Sequence, residues 1–365
     1  MSTRRSRVLI IDDSVVIRRL LSDCLGAADD IEVVGTAPNG RLGLQKIEQC
    51  SPDLVTLDVE MPGMSGIEVL NAIRQRDSDL PVVMFSTLTE SGASTTLEAL
   101  ARGASDYATK PQGAAGPAAA RAQIQADLLP KIRVLTGGEP ALPAGRPKLR
   151  RPQGGAVRAR TPLLGVIGVS TGGPNALSRI LPELPADFPV PLVIVQHMPP
   201  VFTRSLADRL DRTCALHVQE SREGADVHAG QIWIAAGGCH TEVCRVGSGL
   251  GLRLHEGPPV HSCRPAVDTL FRSAAIACGG DVVAAVLTGM GRDGLSGAEE
   301  LYEHGAAILA QDEKSSVVWG MPGYVARAGI ADEVVSLANF AQALVRHARP
   351  TRRSSGAALR QGALG

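Results

Sequence analysis

The first third of the chain alternates short apolar runs with amphipathic stretches, and this alternation limits the fold more than any other feature. The predicted strands cover residues 7–11, 31–37, 54–57, 81–85 and 105–108. The predicted helices cover residues 15–25, 41–50, 67–76, 95–102 and 118–135, the last disturbed by Pro130. Regular βα alternation predicts a parallel sheet with helices on both faces and its reactive groups at the carboxyl ends of the strands.

Acidic, hydroxyl and basic side chains follow four of these predicted strands. They are Asp12, Asp13, Asp58, Ser86 and Lys110. Carboxylates that meet at one sheet edge repel each other, and Mg²⁺ would neutralise them, while a lysine and a hydroxyl would hold the oxygens of a phosphoryl group on a carboxylate. The alternative is a set of unrelated caps and turns, with Asp13 or Ser14 capping a helix and Asp58 as a loop acid. Five suitable residues at the ends of four of the five predicted strands disfavour that alternative.

Residues 7–135 resemble the receiver domain of two-component response regulators, which has a flavodoxin-like, doubly wound fold. The turn Met61-Pro-Gly-Met-Ser-Gly66 after Asp58 adds to the resemblance. It implies a receiver over residues 1–135 that a histidine kinase phosphorylates on Asp58. The implied Mg²⁺ ligands are Asp12, Asp13 and Asp58, and the implied switch residues are Ser86, Tyr107 and Lys110.

Residues 136–161 change in composition. Glycine, proline, arginine and alanine dominate this stretch. Such a segment cannot bury a core, so we expect a flexible linker that acts as a tether. Residues 349–365 are similar, and we expect a disordered tail there.

A second α/β unit begins with the apolar run Leu163–Val169, which predicts a buried strand that ends at Ser170. Gly168-Val-Ser-Thr-Gly172 fits the G-x-S-x-G pattern, in which glycines permit a sharp strand-to-helix turn that exposes the serine hydroxyl. A helix from about residue 175 would aim its N–H groups at that serine. The alternative is a glycine-rich turn whose serine merely caps the helix.

Two more predicted strands, 190–195 and 281–287, are followed by His197 and Asp293. Ser170, His197 and Asp293 can therefore meet at one sheet edge as nucleophile, base and orienting acid. The alternative is that His197 is a loop histidine and that Asp293, next to Gly294, belongs to an ordinary turn or caps a helix. The chain order Ser, His, Asp disfavours an α/β hydrolase in the strict sense. Shorter strands over 231–236, 241–246 and 250–255 predict an antiparallel extension, and 264–278 and 294–303 predict helices.

Residues 162–348 resemble the catalytic domain of the chemotaxis methylesterases of the CheB family. The matching stretches are Gly168–Pro174, Gln196–Pro199, Arg264–Asp268, Leu270–Ser273 and Leu287–Gly294. The resemblance implies that Ser170 is the nucleophile, His197 the base and Asp293 the orienting acid, with the backbone N–H of Met290 as oxyanion donor. Ala266 departs from the family pattern, in which serine is usual.

That family resemblance implies a phosphorylation-activated esterase that demethylates glutamate methyl esters of chemoreceptors and can deamidate glutamines. It implies a chemotaxis histidine kinase as phosphodonor, a receiver that occludes the catalytic face until phosphorylated, and no cofactor for the esterase step. The rival from another class is a non-catalytic response regulator that acts as a binding module. A transcription factor would need a short basic helix-turn-helix domain, which residues 161–348 do not resemble.

The composition of the chain limits its possible partners and its cellular location. The 365 residues carry 37 basic and 37 acidic side chains, so charge does not favour nucleic acid. Seven cysteines without a C-x-x-C pair suggest a reducing cytoplasm, and Cys239, His240, His261 and Cys263 lack the usual spacing of zinc ligands. No apolar run approaches a membrane span, so we expect a cytoplasmic monomer without membrane insertion.

Overall fold

A computed structural model describes residues 4–111, 116–138 and 162–349. Most of the predicted linker, residues 139–161, and nearly all of the predicted tail, residues 350–365, lie outside the described residues, so both remain predictions. Within the described residues, no helix combines the length and the apolar character that a membrane span needs.

The N-terminal part forms one parallel sheet in the order β2-β1-β3-β4-β5. Its strands are β1 (Ser6–Ile11), β2 (Ile31–Ala37), β3 (Leu54–Asp58), β4 (Val82–Ser86) and β5 (Asp106–Thr109). Its helices are α1 (Val15–Gly26), α2 (Gly40–Cys50), α3 (Gly66–Arg76), α4 (Glu90–Ala101) and α5 (Gly116–Leu135). The predicted doubly wound fold is confirmed for this part of the chain.

Helix α4 begins five residues earlier than the sequence predicts. Thr89 precedes it in extended conformation, and its hydroxyl accepts a hydrogen bond from the Gly92 N–H at 3.0 Å. Such a cap satisfies one of the free N–H groups of the first turn and holds together a start that contains glycine and serine. The prediction missed this turn because residues 90–94 have a weak helix propensity.

The C-terminal part contains a seven-stranded parallel sheet in the order β15-β14-β13-β6-β7-β10-β8. The strands from β6 on are β6 (Leu164–Val169), β7 (Leu192–Gln196), β8 (His217–Glu220), β9 (Asp226–Val227), β10 (Gln231–Ile234), β11 (His240–Val246), β12 (Gly249–His255), β13 (Val282–Val286), β14 (Ala307–Gln311) and β15 (Glu333–Val335). The helices are α6 (Gly173–Ile180), α7 (Pro200–Asp211), α8 (Val267–Cys278), α9 (Leu295–Glu303), α10 (Met321–Arg327) and α11 (Phe340–Ala348).

One strand prediction is wrong in its placement. The segment 231–236 was expected in the antiparallel extension, but β10 pairs in parallel with both β7 and β8 inside the main sheet. The connection from β8 to β10 contains the short strand β9 and no helix, so the usual βαβ signature is missing from the sequence. The extension itself is confirmed: β11 and β12 form an antiparallel hairpin, and β9 pairs with β12.

The two sheets are joined by an apolar interface. Helix α4 packs against α6 and α7 of the C-terminal part, and a ring from β5 stacks on a ring from α7. A continuous cluster of buried apolar side chains crosses this interface and includes Leu97, Tyr107, Leu177 and Phe202. The interface therefore touches the two helices that directly follow the predicted nucleophile and base.

Candidate functional site

Ser170 lies directly after β6, between the sheet and α6. Its N–H donates to the Thr288 carbonyl at 3.0 Å, and its own carbonyl accepts from the Gly173 N–H at 2.8 Å. The positive φ of this turn falls on Gly172, at +76°, and not on the serine. A Cβ at Gly168 would come within 2.3 Å of Val267, so glycine lets β6 approach α8 closely. The turn is therefore glycine-based and differs from the strained elbow of α/β hydrolases.

His197 follows β7, the strand next to β6. Its Nε2 is 2.8 Å from Asp293 Oδ2, and its Nδ1 lies 3.6 Å from the sulfur of Cys263. No hydrogen bond joins the Ser170 hydroxyl to either ring nitrogen among the described residues. Burial acts to lower the pKa of His197, but the hydrogen bonds to Asp293 and Cys263 outweigh it and raise that pKa above the ordinary value. The raised pKa makes this imidazole a stronger proton acceptor than a free histidine side chain.

Asp293 is buried and fixed by the first turn of α8. Its two oxygens accept the backbone N–H groups of Val267 at 2.7 Å and Asp268 at 2.9 Å. Burial acts to raise its pKa, but the hydrogen bonds to His197 and to these N–H groups lower it below the ordinary value. Asp293 thus stays ionised at a helix N-terminus, which favours negative charge.

The start of α8 is capped even though Ala266 stands where the family usually has serine. It is the residue before α8, and its side chain cannot cap the helix. The Asp293 carboxylate takes over part of that task, because it accepts the first two N–H groups of α8. The side chain of Asp268 completes the junction, accepting the N–H groups of Gly294 at 3.0 Å and Gly297 at 2.8 Å.

Two backbone N–H groups near Ser170 are available to a ligand. Met290 lies in the loop after β13, beside Gly320, and its N–H has no protein acceptor within the described chain. The same holds for Thr171, the residue after the serine. Sequence reasoning named Met290 only, although the G-x-S-x-G pattern also indicates the residue after the serine as a donor.

The four residues considered as zinc ligands do not converge. Cys239 donates to the Ala236 carbonyl, and His240 contacts the Pro258 carbonyl. His261 contacts Asp268 at 3.0 Å, and Cys263 contacts His197. Sequence reasoning missed the Cys263–His197 contact, because no spacing rule connects a loop before α8 with the end of β7.

The acidic cluster of the N-terminal sheet is assembled as the sequence predicts. Ligand oxygens of Asp12, Asp13 and Asp58 lie within 4.8 Å of one another. Lys110 Nζ is 2.9 Å from Asp12 and 2.7 Å from Asp58, both of which are buried. Burial raises the pKa of Asp58 to about 6, even though Lys110 acts to lower it. One ammonium cannot balance the carboxylates of this edge, so the donor set fits a divalent cation with oxygen ligands.

Some residues in and beside the acidic cluster also cap a helix or stabilise a turn, as the alternative interpretation proposes. Ser14 caps α1, with its hydroxyl accepting from the Ile17 N–H, and Asp58 accepts from the Glu60 N–H. These local bonds coexist with the cluster and do not replace it.

Of the three implied switch residues, Lys110 contacts Asp58, whereas Ser86 and Tyr107 have other partners. The Ser86 hydroxyl donates to the Gly92 carbonyl at 3.2 Å and makes no hydrogen bond to Asp58 among the described residues. Tyr107 is buried in the interface, where its ring stacks on Phe202. Both side chains therefore point away from the acidic cluster in this state.

The fold and the two clusters define a class of protein: a response regulator whose receiver is joined to a doubly wound α/β domain with serine, histidine and aspartate at its strand ends. The family model for CheB methylesterase matches residues 165–344, and the model for the response regulator receiver domain matches residues 8–116. The chain belongs to the CheB methylesterase family and is a methylesterase with an N-terminal receiver.

Similar proteins cover almost the whole chain. A protein-glutamate methylesterase/protein-glutamine glutaminase of Nocardioides sp. is 49% identical over 354 residues, 93% of this chain and 94% of the relative. One of Trichodesmium erythraeum is 46% identical over 346 residues, 93% of this chain and 98% of the relative. The solved CheB methylesterase catalytic domain of Thermotoga maritima is 40% identical, with a TM-score of 0.50, and covers 51% of this chain and 98% of that structure.

Proposed function

We propose that this enzyme hydrolyses methyl esters of glutamate side chains in chemoreceptors, with release of methanol, and that phosphorylation of Asp58 activates it. The observation that carries the proposal is the placement of His197, which Asp293 holds through Nε2 at 2.8 Å at the end of the strand beside Ser170. The names of the curated relatives supply the substrate class and add glutamine deamidation, which needs the same steps with ammonia as the leaving group.

Ser170 is the nucleophile in the proposed reaction. Nδ1 of His197 takes the proton from Ser170 Oγ as that oxygen attacks the ester carbonyl. The N–H groups of Met290 and Thr171 donate to the oxygen that becomes negative. The imidazolium then protonates the departing methoxide, and water hydrolyses the acyl-enzyme by the same base. Asp293 keeps the ring in the tautomer that leaves Nδ1 free to accept a proton.

The receiver is proposed to restrain this reaction through the interface. Its helix α4 packs on α6 and α7, which begin just after Ser170 and His197. Burial raises the pKa of Asp106 on β5, while Lys131 and the hydroxyl of Thr171 act against that rise. The Asn175 side chain of α6 also donates to the Ala104 carbonyl, just before β5, at 3.5 Å, so the receiver contacts the helix that follows Ser170. Phosphorylation would shift the population from this closed arrangement to an open one.

Phosphorylation itself is assigned to the acidic cluster. The Asp58 carboxylate accepts the phosphoryl group, and Lys110 is close enough to pair with its oxygens. Asp12, Asp13 and Asp58 would hold Mg²⁺, which neutralises charge between the carboxylates and the incoming phosphoryl group. The hydroxyl of Ser86 would have to leave the Gly92 carbonyl to reach the phosphoryl group.

The proposal includes a histidine kinase as phosphodonor, methylated chemoreceptors as substrates and action as a cytoplasmic monomer. The test is methanol release from methylated receptor by the purified chain, with and without a small phosphodonor and Mg²⁺. The proposal expects release that rises with the phosphodonor. Binding of receptor without methanol in either condition would favour the non-catalytic binding module instead.

A further inference from the structure

The thiol of Cys263 lies beside Nδ1 of His197, the position that the proposed mechanism gives to the Ser170 hydroxyl. Nε2 of His197 is tied to Asp293, so Nδ1 is the only ring nitrogen left to accept a proton from Ser170. In this structure Nδ1 is in contact with Cys263 Sγ, at 3.6 Å. Cys263, His197 and Asp293 therefore form a row of thiol, imidazole and carboxylate, the arrangement that activates a cysteine in thiol enzymes.

The other six cysteines have different surroundings. Burial raises the pKa of the Cys24, Cys239 and Cys278 thiols, and that of Cys214 to about 11. The thiols of Cys50, Cys239 and Cys244 donate to backbone carbonyls and not to an imidazole. Among the seven, all of which are described, only the sulfur of Cys263 meets an imidazole nitrogen.

Cys263 is also open to small reagents. It is half-buried and lies in the loop between β12 and α8, after two residues, His261 and Ser262, with positive φ. Cys24 and Cys278, in contrast, are buried. A peroxide or a small alkylating agent is therefore expected to reach Cys263 before the buried thiols.

We propose that Cys263 is a reactive thiol, and that its oxidation by a hydroperoxide, or its alkylation, switches the esterase off. The inference rests on the proposed role of His197 as the base for Ser170. A group attached to Cys263 Sγ would occupy the space next to Nδ1, and the imidazole could then no longer accept the Ser170 proton.

The oxidation balances with hydrogen peroxide as the only co-reactant. The thiol proton passes to His197 Nδ1, and the thiolate attacks one peroxide oxygen. An S–O bond forms and the O–O bond breaks, so that sulfur is oxidised to a sulfenic acid and the second oxygen leaves as hydroxide. Hydroxide takes the proton from the imidazolium and becomes water. A thiol reductant reverses this stage.

The test exposes the full-length protein to hydrogen peroxide, measures methanol release, and locates the sulfenic acid by dimedone labelling and mass spectrometry. We expect label at Cys263 and a loss of activity of about tenfold or more, since positioned proton transfer is worth at least that. Dithiothreitol added before dimedone should restore the rate. Cys263→Ala should keep its activity under peroxide, whereas the matched control Cys239→Ala should lose it as the wild type does.

The outcomes separate this inference from the proposed function. Labelling does not require turnover, so Ser170→Ala should still be labelled at Cys263. If wild type releases no methanol but is labelled at Cys263, the esterase proposal fails and the reactive thiol stands. If Cys263 is not labelled before the other cysteines, or if Cys263→Ala and Cys263→Ser are both inhibited like wild type, the inference is wrong.

Discussion

The ring of Tyr107 in the receiver stacks on the ring of Phe202 in the catalytic domain, with centroids 4.6 Å apart and planes inclined by 12°. Phe202 lies in the first turn of α7, five residues after His197. One of the residues that the family resemblance names as receiver switches is therefore in direct contact with the helix that follows His197. Movement of this one side chain would loosen the interface next to His197, the proposed base.

Replacing Tyr107 by alanine should raise the basal activity of the unphosphorylated enzyme. An aromatic pair contributes about 0.5–1.5 kcal/mol beyond its buried area, so its loss should increase the open population roughly twofold to tenfold. Methanol release without phosphodonor measures the effect. The control Tyr107→Phe keeps the ring and should stay near wild type. Equal basal rates for Tyr107→Ala and wild type would show that the stack does not restrain the enzyme.

Replacing Asp58 by asparagine should stabilise the folded protein at neutral pH. Burial raises the folded-state pKa of Asp58 from 3.8 to about 6, so the folded chain binds the Asp58 proton more tightly than the unfolded chain does. Ionisation of the buried Asp58 therefore lowers the free energy of unfolding. This loss of stability is absent below about pH 4, develops as the pH rises to about 6, and stays constant above that. It is worth at most roughly 2–3 kcal/mol.

Thermal unfolding with chelator present, so that no cation offsets the charge, checks this prediction. Asp58→Asn should melt at a higher temperature than wild type at pH 7.5, and the difference should vanish near pH 4. Asp53→Asn is a suitable control, because Asp53 is more exposed and pairs with Arg4. A Tm difference that is the same at both pH values would contradict the assignment to Asp58 ionisation.

Small phosphodonors with Mg²⁺ should add one phosphoryl group, at Asp58. Acyl phosphates are labile in base, so the label should survive acid and be lost at high pH. Asp58→Asn should not be labelled, and wild type in excess chelator should not be labelled either, since the carboxylate cluster then lacks its cation. Full labelling of Asp58→Asn would point to a different acceptor.

Replacing Asp293 by asparagine should lower the activity and move its acid limb to lower pH. The carboxylate helps to raise the pKa of His197. In the proposed mechanism the unprotonated form of His197 is the active one. Without Asp293 the ring should lose its proton at a lower pH, so the rate should begin to fall only at more acidic pH. The profile of kcat against pH measures this shift. An acid limb that moves to higher pH would contradict the proposed pairing of His197 with Asp293.

Sequence reasoning succeeded where one rule of parallel sheets applied. Asp12, Asp58 and Lys110 converge, and His197 meets Asp293, because the carboxyl ends of parallel strands share one edge of the sheet. The rule gives positions along a sheet edge and not the orientation of side chains. It therefore did not show that the Ser86 hydroxyl turns to the Gly92 carbonyl or that Cys263 takes the place beside Nδ1.

Other features depend on contacts distant in sequence. β10 was assigned to the wrong sheet because its connection from β8 lacks a helix. The role of Asp293 at the start of α8 was not visible either, because 26 residues separate it from Val267. The stack of Tyr107 on Phe202 joins two domains, and no local pattern in either one indicates it.

The account depends most on Ser170 acting as the nucleophile, and methanol release by Ser170→Ala tests this most directly. The variant should fold normally, accept phosphate at Asp58 and lose methanol release by a factor of at least about 10³, because the covalent route is closed. The matched control Ser178→Ala, on the same strand-to-helix unit and half-buried, should keep the wild-type rate. Methanol release by phosphorylated Ser170→Ala at a near-normal rate would contradict the account.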